Sequence, residues 1–200
     1  MSAFDLVVRL FGLLLGLAMG EVFAGVVRIC RLKLGLTPTP AASVRVGWLV
    51  PLLAVLILMA QLSFWLAFYD LHGNVPLNLL VLIGILLVIG SFFVISGLVF
   101  PAHPESWPDF DAYYFRVRRG VIGGLIAIDL AAMAYLLSLM RQGVTIGITT
   151  GSPNPAGGVA AYLYLPALVA LVLVRGRRAS ILLLVIANAI PLVEAITRFR

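Results

Sequence analysis

The feature that most constrains this chain is a series of six long apolar stretches. Each is close to the roughly 20 residues that a helix needs to cross the hydrocarbon core of a bilayer. The stretches cover about 6–28, 47–69, 77–100, 120–140, 158–174 and 179–197. Segments of this kind cross lipid as helices, because a helix satisfies its own backbone hydrogen bonds. The sequence therefore predicts an all-α, polytopic membrane protein, a bundle of six transmembrane helices that forms one domain over residues 1–200.

Composition agrees with this prediction and leaves no segment for a soluble domain. Hydrophobic residues make up 62% of the chain and charged residues only 11%, against about a quarter charged in soluble domains. The net charge of +6 comes mainly from cations at the ends of the apolar stretches, so we expect the bilayer as partner and no nucleic acid. The single cysteine, Cys30, excludes an internal disulfide and a thiolate cluster for a metal.

The arginines and lysines indicate how the chain is threaded. Ten of the 14 follow the first, third and fifth stretches: Arg28, Arg31, Lys33, Arg45, Arg116, Arg118, Arg119, Arg175, Arg177 and Arg178. The positive-inside rule places these basic segments in the cytoplasm and both termini outside, although Arg9, Arg198 and Arg200 act against this orientation. We expect the protein in the inner membrane of a bacterium.

The first stretch carries a glycine repeat. Gly12, Gly16 and Gly20 recur every four residues, and Arg9 falls on the same helix face. Glycines at this spacing form a groove that lets a second helix approach closely. We expect this face to pack against a partner helix, either within this chain, in a second copy, or in a larger membrane complex.

Four polar side chains within the stretches are candidates for a transport path or a polar core. Asp129 and Asn188 lie near the middle of their stretches, Glu21 toward the cytoplasmic side and Gln61 toward the outer side. Charged groups in a membrane are costly and tend to mark functional sites. Since no Lys or Arg lies at the depth of Asp129, we expect its carboxyl to be protonated or to be neutralised by a bound cation. Asp129 is then either a functional proton or cation site, or a protonated packing residue that is hydrogen-bonded to Asn188, to a backbone carbonyl or to a hydroxyl across a helix interface.

Arg9 has two candidate acidic partners in the outer half of the bundle. Glu194 in the sixth stretch has a similar depth, and Asp5 precedes Arg9 by about one helical turn. We expect a structural clamp in which Arg9 is shared between the two acids.

The order of the stretches allows a second organisation, an inverted repeat of three helices and three helices. Glu21 would then correspond to Asp129. Pro166 and Pro191 lie within the last two stretches, and each leaves a carbonyl unpaired about four residues earlier. Such carbonyls accompany an ordinary helix kink or, in broken transporter helices, help to bind a cation.

The segment before the fourth stretch is distinctive. From His103 to Asp109 it is too rich in proline to be helical, and from Asp109 to Arg119 it takes helical spacing, with Asp109 or Ser106 as the cap. We expect this second part to lie at the cytoplasmic membrane surface or to prolong the fourth span. The expected surface anchors are Trp107, Tyr113, Tyr114, Arg116, Arg118 and Arg119. The alternative is a docking site for another protein or a lipid headgroup.

Motifs that would indicate catalysis are absent from the sequence, so we expect no enzyme. There is no H-E-x-x-H, no G-x-S-x-G and no phosphate-binding glycine loop. His72 and His103 lie on opposite sides, and Lys33 is the only lysine and lies at a helix end, so we expect no haem, no retinal and no metal. Two functions remain. The protein is a small channel or secondary transporter for a proton, cation or small solute, or it is a non-catalytic accessory subunit of a larger membrane complex.

Overall fold

Six α-helices make up most of the part of the chain that the structure describes, which is residues 3–36, 44–70, 78–142 and 155–198. The structure is a computed structural model. The helices are α1 (Ala3–Lys33), α2 (Leu49–Asp70), α3 (Leu79–Val99), α4 (Phe110–Arg141), α5 (Pro155–Leu173) and α6 (Arg177–Arg198). The predicted all-α class is therefore confirmed for the described residues.

Four of these helices are long and apolar enough to cross a membrane. The apolar spans are Asp5–Lys33, Leu49–Tyr69, Leu79–Val99 and Phe110–Arg141. In α5 the described apolar helix is shorter, from Leu163 to Leu173. The protein thus has the helices of a membrane protein. We call the end of the bundle where Arg28, Arg118 and Arg177 lie the basic end.

Helix α2 lies at the centre of the bundle and packs on α1, α3, α4 and α6. Its ring Phe64 stacks on Phe11 of α1 at 5.9 Å between centroids and meets the edge of Phe92 of α3 at 5.6 Å. Around α2, helix α1 packs mainly on α3, whereas α5 packs mainly on α6. The first three helices and the last three helices are therefore packed differently, which does not support the inverted repeat that the order of the stretches allows.

The glycine repeat of α1 points largely away from the rest of the described chain. Gly12 lies beside Trp65, whose Nε1 would be 3.5 Å from an added Cβ. Gly16 and Gly20 are exposed, and nothing described lies within 4 Å of an added Cβ at either position. Among the described residues, the repeat therefore packs inside the chain only at Gly12. A partner for Gly16 and Gly20, from the rest of the chain or from outside it, stays a prediction.

Another glycine forms the close helix contact of α1. A Cβ added to Gly25 would lie 2.2 Å from the ring of Phe100, a residue that follows α3 and is buried. Only a hydrogen atom fits at this position. The tight approach of α1 to α3 therefore depends on Gly25.

Helix α4 begins at a well-defined cap. Oδ1 of Asp109 accepts a hydrogen bond from the amide of Asp111 at 2.9 Å, as expected for an N-cap aspartate. Arg45 pairs with the chain on both sides of the cap, because its amide donates to Pro108 and its carbonyl accepts from Phe110. From this cap α4 continues for 32 residues, so the segment before the fourth stretch prolongs that helix. The prediction that 103–109 contains no helix is wrong at Pro104–Ser106, which form one 3₁₀ turn.

Candidate functional site

Asp129 lies near the middle of α4, where this helix packs against α5. Tyr164, on α5, lies at a similar depth, because Arg118 of α4 contacts Leu171 and Val174 at the end of α5 and the two helices run in opposite directions from that point. Oδ2 of Asp129 and the hydroxyl of Tyr164 are both buried, and neither finds a hydrogen-bond partner in the described part of the chain. Because buried polar groups are nearly always hydrogen-bonded, two unpartnered groups on neighbouring helices are an unusual feature of an apolar interior.

A buried face of α4 separates Asp129 from the basic end. Arg118, Ile122, Leu125 and Asp129 follow one another at intervals of four, three and four residues and so share one helix face. Ile122 and Leu125 are fully buried. From Arg118 to Asp129 the helix rises by about 16 Å. Two apolar layers therefore lie between the Asp129–Tyr164 pair and the arginines at that end.

Gln61 belongs to a different helix contact. Its side-chain amide donates to the hydroxyl of Ser96 at 2.7 Å, which joins α2 to α3 in the buried core. Its carbonyl oxygen Oε1 is buried and has no hydrogen-bond partner among the described residues. Gln61 and Ser96 thus fasten two helices together.

Asn188 joins α6 to α2. Its amide nitrogen donates to the carbonyl of Leu52 at 3.2 Å and to the carbonyl of Leu184, one turn earlier in α6, at 2.8 Å. Leu52 lies nine residues before Gln61, which corresponds to a rise of about 14 Å along α2. The structure therefore does not bring Asn188 and Gln61 into one polar site.

Glu21 lies near a cation of its own helix. Its carboxylate is 3.4 Å from the guanidinium of Arg28, and both side chains are more than a third exposed. Arg28 also donates weakly to the carbonyl of Ala102 at 3.5 Å. Asp129, by contrast, forms no ion pair with Lys or Arg within the described ranges. The four predicted polar residues therefore belong to four separate contacts, and of the two acids among them only Asp129 has no counter-charge in the described part of the chain.

Part of the predicted outer clamp lies beyond the described side chains. Asp5 and Arg9 line a small cavity of about 250 Å³ with Val8 and Tyr69, at the end of the bundle opposite the basic end. The side chain of Glu194 is outside the described residues. The sharing of Arg9 between Asp5 and Glu194 stays a prediction.

A buried acid at the basic end was not singled out by the sequence. Oδ2 of Asp111 lies 2.6 Å from Nε of Arg177, and its Oδ1 accepts from the amide of Leu49 at 3.4 Å. A Cβ added to Gly47 would lie 2.0 Å from Oδ1, so the glycine makes room for the carboxylate. Asp111, at the beginning of α4, therefore contacts the beginnings of both α2 and α6.

Three of the six expected surface anchors are buried, and two of them, Tyr114 and Arg118, lie on one face of α4. Arg118 is buried and donates to the carbonyls of Leu171 and Val174 at the end of α5. Tyr114 is fully buried and lies beside Arg118 and Ser180. The expectation that Tyr114 and Arg118 lie at the membrane surface is wrong, because both occupy the face of α4 that packs on the α5–α6 hairpin.

Trp107, Tyr113 and Arg116 form a compact group, which we call the aromatic group. The guanidinium of Arg116 lies over the ring of Trp107 at 5.5 Å, and that ring meets the edge of Tyr113 at 5.0 Å. Tyr113 is itself buried, and its hydroxyl donates to the carbonyl of Leu98 at 2.9 Å. Arg116 and Arg119 are exposed.

The comparisons add no relative from which a function could be transferred. The chain matches no protein-family model, and neither a curated protein nor a solved structure is significantly similar to it. Within the described ranges, no group of three or more His, Cys, Asp or Glu side chains could hold a metal ion. The functional argument therefore rests on Asp129 and Tyr164.

Proposed function

We propose that this protein is a small membrane channel or secondary transporter that moves a proton or a small cation, with Asp129 as its binding group. The observation that carries the proposal is the buried, unpartnered Oδ2 of Asp129 on α4, together with the buried, unpartnered hydroxyl of Tyr164 on the neighbouring helix α5. Tyr164 is the residue that sequence reasoning did not include. Tyr164 suits a proton site because a phenol donates a hydrogen bond to a carboxylate and accepts one from a protonated carboxyl or from water.

The chemistry of the pair favours a proton over a metal ion. An ionised carboxylate in the middle of a membrane needs a positive charge to offset its desolvation, and a bound proton supplies one. A divalent ion such as Ca²⁺ takes six to eight oxygen ligands. The described residues around Asp129 include no further acid that would contribute to such a set. The proton is therefore the first substrate to test.

The proposed orientation follows from the arginines. We place the basic end in the cytoplasm of a bacterium and the termini outside, with all six helices crossing the inner membrane. Ile122 and Leu125 then form a dry layer between Asp129 and the cytoplasm. In this arrangement the proton reaches Asp129 from the outer side, and passage onward requires the apolar layer to open.

Flux through reconstituted protein tests the proposal. Proteoliposomes that enclose a pH-sensitive dye are given a membrane potential, and the rate of internal acidification is measured. Asp129→Asn is expected to reduce this rate to that of empty liposomes, and Tyr164→Phe to lower it strongly. Glu21→Gln and Tyr69→Phe are the matched controls, because Glu21 lies beside Arg28 and Tyr69 is exposed.

The comparison of variants separates the possible results. Folding of each variant is checked by its thermal unfolding in detergent. Wild-type flux equal to that of empty liposomes contradicts transport of protons, and an unchanged rate in Asp129→Asn removes this residue from the mechanism. Liposomes that enclose a Na⁺- or K⁺-sensitive dye instead of the pH-sensitive dye, with the same ion in the outer solution, test the cation form of the proposal.

A second function, an accessory subunit of a larger membrane complex, is favoured by one observation. Gly16 and Gly20 form an exposed small-residue face on α1 with nothing within 4 Å of an added Cβ. In this proposal a helix of another protein or of a second copy packs on that face. Gly16→Leu would then release the partner during gentle extraction, whereas Gly84→Leu, at an equally open position on α3, would not. Retention of every co-purifying protein by Gly16→Leu would contradict it.

A further inference from the structure

A groove lies between α3 and α4 on the outside of the bundle. Its volume is about 660 Å³, and its lining is almost entirely apolar. On α4 the lining residues are Gly120, Gly124, Ala127, Ile128 and Ala131, and all except Ile128 are small residues on one helix face. The groove is open because Gly120, and Gly90 on α3, have nothing within 4 Å of an added Cβ.

The groove ends at the aromatic group described above. Leu98 lines the groove, and its carbonyl accepts the hydrogen bond from Tyr113. Arg116 lies one helical turn before Gly120 on the same face of α4. Its exposed guanidinium is held over the ring of Trp107. The positive charge of Arg116 therefore lies at the end of the apolar α3–α4 groove.

The length of the groove matches half of a bilayer. From Gly120 to Ala131 the helix rises by about 16 Å, and a hydrocarbon core of about 30 Å gives about 15 Å for each leaflet. We propose that the α3–α4 groove is a binding site for an anionic phospholipid, with an acyl chain along Gly120, Ala127 and Ala131 and the headgroup phosphate on Arg116. This inference is independent of the transport proposal.

Charge and length favour a lipid over a helix from a second copy. A transmembrane helix would contact the groove and continue into the other leaflet, whereas the groove ends near the bilayer midplane. An arginine at the headgroup level offers a direct hydrogen-bonding partner to a phosphate. Trp and Arg at this level are also the residues that membrane interfaces favour. The occupant thus has an acyl chain and a negative headgroup.

Photo-crosslinking of the purified full-length protein tests the proposal. Phosphatidylglycerol and phosphatidylcholine with the same diazirine-bearing acyl chain are added separately, and labelled peptides are quantified by mass spectrometry. We expect phosphatidylglycerol to label the α3 and α4 groove peptides about fivefold more, which is the effect of one arginine near a membrane surface. Arg116→Gln is expected to bring this labelling down to the phosphatidylcholine level.

Two further variants distinguish the groove from general attraction to a basic surface. Arg31→Gln removes the same charge from an exposed position on α1 and is expected to leave groove labelling unchanged. Gly120→Leu fills the open space without changing charge and is expected to lower labelling by both lipids. Equal labelling by the two lipids in the wild type, equal losses in Arg31→Gln and Arg116→Gln, or unchanged labelling in Gly120→Leu would overturn the proposal. Cross-links between two copies of the chain at the groove would do the same.

Discussion

Nε of Arg177, the first residue of α6, lies 2.6 Å from Oδ2 of Asp111, the second residue of α4. The two partners differ in burial, since the Arg177 side chain is 44% exposed and the Asp111 side chain only 5%. Asp111 also accepts from the amide of Leu49, at the start of α2. The loss of the arginine would therefore leave a buried carboxylate with one weak hydrogen bond. Such an uncompensated buried charge is what makes the loss of one partner costly.

Arg177→Gln is expected to lower the free energy of unfolding in detergent by about 2 kcal/mol, because the pair is buried on one side and exposed on the other. The measurement is denaturation of the purified protein followed by circular dichroism. Arg178→Gln is the matched control, since Arg178 is the next residue along the same helix and is exposed. Equal losses in the two variants would contradict a specific role of Arg177.

The helices themselves could be predicted from the sequence because each depends on local information. The first four apolar runs overlap α1 to α4, although α4 begins at Phe110, ten residues before its run, and the cap at Asp109 follows from a short polar residue before an aromatic helical pattern. The Asp111–Arg177 pair could not be predicted, because the two residues are distant in the chain. Their meeting depends on how α4 and α6 cross, and on the space that Gly47 leaves.

The periodicity of α4 contains information on which of its arginines is buried. Arg118 and Arg119 are adjacent and chemically identical, yet one is buried and the other exposed. The periodicity that leads from Arg118 through Leu125 to Asp129 places the first arginine on the inner face. Tyr164, in contrast, gives no signal in the sequence, because an aromatic residue in an apolar helix is ordinary until the neighbouring helix is known.

The contact between α1 and α3 predicts a large effect at a single glycine. Gly25→Ala would place a methyl group 2.2 Å from the ring of Phe100, so the two helices must separate or the ring must move. We expect a loss of about 1 to 3 kcal/mol in stability, as for other overpacked sites. Gly16→Ala adds the same methyl group where nothing lies within 4 Å, and it should leave stability unchanged or slightly higher.

A double-mutant cycle gives the control for this prediction. Phe100→Leu is expected to cost less in the Gly25→Ala background than in the wild type, because the smaller side chain relieves the overlap. Additive effects of the two changes would show that Gly25 acts through backbone freedom and not through its contact with Phe100.

The hydrogen bond between Gln61 and Ser96 predicts a smaller effect. Ser96→Ala leaves the buried amide of Gln61 without its partner on α3, and we expect a loss of about 1 kcal/mol, typical of interhelical hydrogen bonds in membranes. Ser91→Ala is the matched control on the same helix, since Ser91 is exposed and donates to the carbonyl of Leu87 in its own helix. A similar loss in both variants, measured by thermal unfolding, would contradict a contribution from the α2–α3 bond.

Arg118 is expected to hold the end of α5 in place. Helix ends carry carbonyls without intrahelical partners, and the buried guanidinium donates to two of them, at Leu171 and Val174. Arg118→Gln is expected to cost about 2 to 3 kcal/mol, the range for hydrogen bonds that involve a charged group. Hydrogen exchange of the 170–180 peptide should accelerate at the same time, because the turn between α5 and α6 loses its attachment to α4.

Arg119→Gln removes an exposed charge from the neighbouring position and should change neither quantity. Faster exchange in Arg119→Gln, or slow exchange retained in Arg118→Gln, would show that the α5–α6 turn is held by other contacts.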